Sequence, residues 1–144
     1  MKSFYICVKA LIEHNNKILL LKRSSKVTHA QYFWDVPGGR IDGDEQIEQT
    51  LKRELAEEIG YTGSFEIEKL VHVFQVPFDV ENGHGLLLVY YAVKADVTEI
   101  TLSEEHESFI WVAKDEMQIF MEQEAKYIVR GGTNIAIEKM LSKE

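Results

Sequence analysis

A chain of 144 residues, 45% hydrophobic and 28% charged, with a formal net charge of −8, suits a single domain over residues 1–144 built on one core. Its Lys and Arg residues are scattered rather than gathered into a basic stretch, which argues against duplex or long RNA as a partner. An acidic protein that handles anionic substrates needs cations as intermediaries, a first pointer to metal.

The elements follow in chain order. Residues 4 to 12 place Phe4, Ile6, Val8, Ala10 and Ile12 on one face and Tyr5, Cys7, Lys9 and Leu11 on the other. Both faces are apolar mid-strand, so the spacing predicts a strand covered on two sides. Lys9 interrupts the apolar run, and no small-residue cleavage site follows, so the N-terminus is not read as a signal peptide. Cys7 is the single cysteine; no internal disulfide is available, and a reducing, cytoplasmic setting is expected. No segment approaches the roughly 18 apolar residues of a membrane span.

"HNN" at 14–16 signals a turn, and "KILLLKR" reads as the returning strand of a hairpin. Residues 24 to 35 read as loop. Ile47, Leu51, Leu55 and Ile59, four apart, predict a helix, and Gly60 predicts its C-terminal stop. "FEIEKLVHVFQV" (65–76) alternates, placing His72 with Leu70, Phe74 and Val76. It should pair near the central strand "GLLLVYYAV" (85–93). "SFIWVA" (108–113) is a further short strand, and "KDEMQIFMEQ" and "NIAIEKML" read as helices. The sum is a mixed sheet with helices on both faces.

The informative stretch is "VPGGRIDGDEQIEQTLKRELAEEIGY" (36–61). Glu54, Glu57 and Glu58 sit at i, i+3 and i+4 and share one side of the helix, where like charges repel. Alone, such a row is most often a solvated face. The "PGG" before it changes the reading, because glycine lets backbone come close to another group. A loop feeding an acidic helix can cradle a hard cation such as Mg²⁺, which takes carboxylate, water and phosphate oxygens.

Here the sequence resembles the Nudix hydrolases of MutT-like type. Gly39, five residues, Glu45, seven residues, then Arg53-Glu54-Leu55-Ala56-Glu57-Glu58-Ile59-Gly60 reproduces their signature box over residues 39–61. Tyr61 stands at its last, usually aliphatic position, and Asp44 where many members have Gly. "FWDVPGG" before the box and "EHESFIWV" after the central strands agree with it.

The resemblance implies an α/β/α sandwich around a mixed β-sheet. It also implies Mg²⁺-dependent hydrolysis, with Mn²⁺ able to substitute, of a diphosphate linkage in a nucleoside diphosphate joined to a group X. It makes Glu54, Glu57 and Glu58 metal ligands, with the Gly39 carbonyl a further candidate. Arg53 orients the glutamates, and Glu45 supports the loop-to-helix junction. The general base is Glu54 or Glu105, the latter six residues before Trp111. Arg23, Gly38 and Trp34 are candidate substrate contacts; for Trp34 a plug in the core is the favoured reading.

The leading substrate is a nucleoside triphosphate cleaved to monophosphate and pyrophosphate. ADP-ribose or another nucleotide sugar, for which Pro77 is a weak marker, and dinucleoside polyphosphates are alternatives. A catalytically dead nucleotide sensor is disfavoured, because the box glutamates and Arg53 are all present. Homodimers are common in this family. Specificity is expected in residues 24–35 and 77–85 and in the C-terminal segment.

Overall fold

Apolar residues on both faces make a central strand of β1 (Ser3–His14) in the computed structural model, which describes residues 3–79 and 83–142, with the side chains of 77–79 left out. The strand runs parallel to β6 (His84–Ala95), from Ser3 opposite His84 to Glu13 opposite Lys94. It meets β2 (Lys17–Arg23) only at the hairpin end, through Glu13 opposite Ile18 and His14 opposite Lys17. Asn15 and Asn16 make that turn with φ of 52° and 62°, the left-handed pair that a twisted two-residue hairpin demands.

Beyond the turn the two strands part. β4 (Gly38–Arg40) then takes β2's place beside β1, with Cys7 opposite Arg40 and Lys9 opposite Gly38. β2 instead pairs with β7 (His106–Ala113) and, at its end, with β3 (Trp34–Asp35). β5 (Phe65–Asp79) lies antiparallel to β6 at the far edge. The result is a mixed sheet in which β1 and β6 are the parallel pair.

Each face carries its own core. α1 (Ile47–Ile59) lays Leu51, Leu55 and Ile59, all 0% exposed, over Val8, Ala10, Ile12, Leu19 and Leu21. Burying each such side chain stabilises by about 1.5–3 kcal/mol. Gly60 ends the helix at φ +69°, and the Gly60 and Tyr61 N–H groups return to the Ala56 and Leu55 carbonyls. On the opposite face Leu11, Ile18, Leu20 and Tyr90 meet α2 (Met117–Gln123) and α3 (Thr133–Leu141) through Met117, Met121, Ala136 and Ile137. This is the expected α/β/α sandwich. Among the described residues no helix is long and apolar enough to cross a membrane.

Two local expectations are corrected. Residues 24–35 are not all loop: Trp34 and Asp35 form β3, because the Trp34 ring, 8% exposed, is drawn into the core under α2. The alternation along β5 does not run through. Irregularities at Ile67/Lys69 and Leu70/His72 shift its register, leaving Leu70 54% exposed while Val71 packs on the α2–α3 core. Of the predicted specificity segment 77–85, residues 80–82 and the Pro77 side chain lie outside the described structure.

Gly38 has φ +149°, and a Cβ there would lie 2.8 Å from Lys9 Cα and closer still to the Val8 carbonyl oxygen. Both obstacles are backbone and cannot swing aside. Gly38→Ala is therefore expected to cost at least about 1–3 kcal/mol, read as a fall of several degrees in thermal midpoint by circular dichroism. An unchanged midpoint would contradict the close packing of β4 on β1.

Candidate active site

β4 and α1 are tied directly to each other. The Gly38 N–H donates to Glu58 Oε1 at 2.7 Å, so the last turn of the helix is tied to the strand that closes β1's open side. Gly39 follows with its hydrogen facing the Glu54 carboxylate; a Cβ there would stand 2.8 Å from Glu54 Oε2 and closer to Oε1. Arg53 spreads its fork behind these groups. Its Nη1 donates to Glu54 Oε1 at 2.7 Å, its Nε to Glu45 Oε2 at 2.9 Å, and its Nη2 to Glu45 Oε1 and the Arg40 carbonyl at 2.9 and 3.0 Å. Glu57 Oε2 lies 3.6 Å from Nη1. Glu45 also accepts the Asp42 N–H and the Thr50 hydroxyl, so it pins the loop to the helix from behind. The two-point bond to Arg53 is the strong form of this contact, and it draws the Glu45 carboxyl down to about 2.

These elements surround a cleft of about 1060 Å³. One wall is acidic: Glu54, Glu57 and Glu58 from α1 and Glu105 from the loop before β7. Their side chains differ in exposure, at 14% for Glu54, 60% for Glu57 and 9% for Glu58. Burial pushes the Glu58 carboxyl up to about 8, against the pull of Lys9 and the Gly38 N–H. Burial also raises Glu54, and the neighbouring Glu57 and Glu105 add to it while Arg53 opposes. Facing them are Arg23, whose Nε donates to the His29 carbonyl at 3.2 Å, and Lys26. Tyr5, Val76, Leu86, Leu88 and Val129 make an apolar side. Lys9 and Asp35 form an ion pair of 3.1 Å at its floor. Beside Glu58, His106 is buried; its Nδ1 is 4.0 Å from Glu58 Oε2, and burial lowers the ring to about 4.

Most of the expected site residues meet in this cleft. Arg23, Gly38, Gly39, Arg53, Glu54, Glu57, Glu58 and Glu105 all line it, with Glu45 directly behind Arg53. Trp34 does not. Its indole N–H donates to Glu124 Oε1 at 3.2 Å and its ring stands edge-on to Phe120 at 5.5 Å, so its candidacy as a substrate contact is corrected to a core plug. His72 is also outside the cleft, between the Gly131 carbonyl at 2.7 Å and Lys139 Nζ at 3.0 Å. The sequence reading missed Lys9, Asp35, Lys26 and His106 as cleft residues. A lysine centred in an apolar strand signals a buried anion nearby, and that signal was available for Lys9.

The donors here are hard oxygens, and two of the carboxyls are held above their usual range by burial and by one another. A divalent cation would relieve both effects at once. No three His, Cys, Asp or Glu side chains among the described residues close into a finished cage. An ion held by this wall would therefore complete its shell with water and substrate oxygens.

Comparison with known proteins agrees with this geometry. Residues 5–130 match the NUDIX domain. The chain is 29% identical over 119 residues to the CTP pyrophosphohydrolase of Escherichia coli (strain K12), covering 76% of each. It is 30% identical over 114 residues to the putative 8-oxo-dGTP diphosphatase of Bacillus subtilis (strain 168), covering 77% of this chain and 67% of the relative. The crystal structure of MutT protein from Methanosarcina mazei Go1 superposes with a TM-score of 0.74 at 25% identity, over 96% of this chain and 94% of that one. The chain therefore belongs to the Nudix family, as a hydrolase of phosphorus-containing acid anhydrides.

Proposed function

We propose that the protein is a Mg²⁺-dependent nucleoside triphosphate pyrophosphohydrolase, with Mn²⁺ able to substitute, releasing a nucleoside monophosphate and pyrophosphate. The observation that carries this reading is the division of one cleft into an acidic wall, a cationic rim and an apolar side. A triphosphate nucleotide has a matching division: a polyanionic tail and a flat ring. The likeness to relatives named for CTP and 8-oxo-dGTP supports the same class.

Glu54, Glu57 and Glu58, with the Gly39 carbonyl, would hold the metal, which when bound neutralises the phosphates and activates water. The chain's own contribution is placement. Arg53 keeps Glu54 in one rotamer, and the Gly38 N–H does the same for Glu58. Arg23 and Lys26 bring positive charge to the phosphate tail. Two carboxylates can take the proton of the attacking water. Glu54 lies on the acidic wall with its carboxylate held in place by Arg53. Glu105 sits across the same cleft on a loop.

Four outcomes test the reading. Chelation of divalent ions abolishes hydrolysis and added Mg²⁺ restores it; full turnover by metal-stripped enzyme would refute the metal role. In a panel of nucleoside triphosphates, ADP-ribose and diadenosine polyphosphates, a triphosphate has the highest kcat/KM and yields pyrophosphate. AMP plus ribose 5-phosphate from ADP-ribose at clearly higher kcat/KM would overturn the substrate class.

Glu58→Gln lowers turnover at least about 100-fold and carries a pH signature. The folded carboxyl at about 8 lies above its ordinary 4.5, so the folded state keeps a proton that the unfolded chain releases. Metal-free wild type therefore loses stability as pH rises from about 4.5 to 8. The Gln variant should lose less over that window, as measured by thermal melting; a wild-type profile unchanged by the substitution would contradict the buried charge. Finally, Glu105→Gln discriminates the base: a loss of about 100-fold or more in kcat assigns it to Glu105, and a small loss assigns it to Glu54.

A further inference from the structure

The Lys9–Asp35 pair is the strongest feature of the cleft that the hydrolytic chemistry leaves unused. Parallel pairing sets Tyr5 beside Leu86, Cys7 beside Leu88 and Lys9 beside Tyr90, so the apolar side descends to a charged floor. At that floor the hydrogen bonds are few enough to count. Asp35 Oδ1 accepts the Val36 N–H at 2.7 Å and the Thr133 hydroxyl at 2.9 Å. The Thr133 oxygen in turn lies 3.0 Å from the Tyr90 hydroxyl, which donates to it. Among the described residues, Asp35 Oδ2 accepts only Lys9 Nζ, at 3.1 Å, and Lys9 gives only that one of its three N–H bonds.

One acceptor position and two donors therefore remain side by side, next to an apolar surface. Stability alone does not call for this arrangement. A buried ion pair repays its desolvation poorly, and apolar residues of the same volume serve a fold equally well. The chain from Tyr90 through Thr133 fixes Asp35 in its charged form, with one oxygen saturated and the other open. Such a juxtaposition matches the edge of a nucleobase, where a donor adjoins an acceptor. The floor also sits one step from the acidic wall, because Gly38, which pairs with Lys9, carries the N–H that holds Glu58.

We propose that Lys9 and Asp35 are the base-reading floor of the cleft, Lys9 donating to a ring nitrogen or carbonyl of the base and Asp35 accepting from its adjacent N–H. This rests on the nucleotide reading above and deepens it by naming the residues that set base preference. They are specificity residues and take no part in the attack on phosphorus.

Equilibrium binding tests the assignment apart from hydrolysis. The dissociation constants of AMP, GMP, CMP, UMP and 8-oxo-GMP are measured by calorimetry on the whole protein. Wild type is expected to separate the best base from the poorest by at least about tenfold, the yield of one good two-point contact. The double variant Lys9→Met/Asp35→Leu removes both charges without stranding either, and the spread should contract to within about threefold. Thr133→Val keeps the ion pair and removes one of the two hydrogen bonds on the second Asp35 oxygen, leaving that from the Val36 N–H. It should change the best-to-poorest ratio by at least about threefold, and it provides the test if the double variant does not fold. Equal binding of all five by wild type, or a spread that survives in the variants, overturns the proposal. Absence of triphosphate hydrolysis by wild type would overturn the activity proposed above, and the binding ranks would still decide this one.

Discussion

The bond from the Gly38 N–H to the Glu58 carboxylate is the contact on which the rest of the site depends. It joins a strand residue that has no side chain to a helix whose acidic row would otherwise stand free. A buried carboxylate must find a donor, and a backbone N–H from a residue packed against β1 cannot wander. Once Glu58 is fixed, the helix is fixed in rotation. Glu54 then falls against Gly39, and Arg53 falls where it reaches Glu45, Glu54 and the Arg40 carbonyl together. The repulsion along the acidic row is held in place by this frame rather than relaxed away.

Much of the architecture was legible because it follows from periodicity. The four-residue spacing from Ile47 to Ile59 could only be one face of a helix, and the strand's apolar faces were legible where two layers cover it, at Val8, Ala10 and Ile12 on one side and Leu11 on the other, while Phe4, Tyr5 and Ile6, expected to be covered too, are exposed. The box glutamates were legible for another reason: a short motif carries its geometry within a single helix and the loop before it. What was lost is non-local. The register shifts in β5 depend on its pairing with β6 and leave Leu70 outside a face its spacing assigned to it. Trp34 could have served the cleft or the core, and the deciding groups, Glu124 and Phe120, lie some ninety residues away along the chain. Asp35 looked like loop punctuation until Lys9 and Thr133 were brought to it from both ends of the chain.

The cleft also separates two electrostatic regimes across a short distance. On one side of Gly38, burial, with too little counter-charge to offset it, holds the Glu54 and Glu58 carboxyls above their usual range. On the other, Asp35 has Lys9 and two hydrogen-bond donors, and its carboxyl is held low although it is largely buried. The first is an appetite for cations from solution. The second is already neutralised within the fold, so it offers direction without demanding an ion.

β1 underlies both regimes from alternate positions. Val8, Ala10 and Ile12 point beneath α1, while Tyr5, Cys7 and Lys9 point into the cleft. A slip of one residue against β6 would drive Lys9 under the helix and turn Val8 outward to the substrate side. No misregistered chain can therefore hold its helix core and still present this cleft. Quality control of folding and assembly of the cleft are the same event, and a nucleotide that binds here selects for the correct strand alignment as it does so.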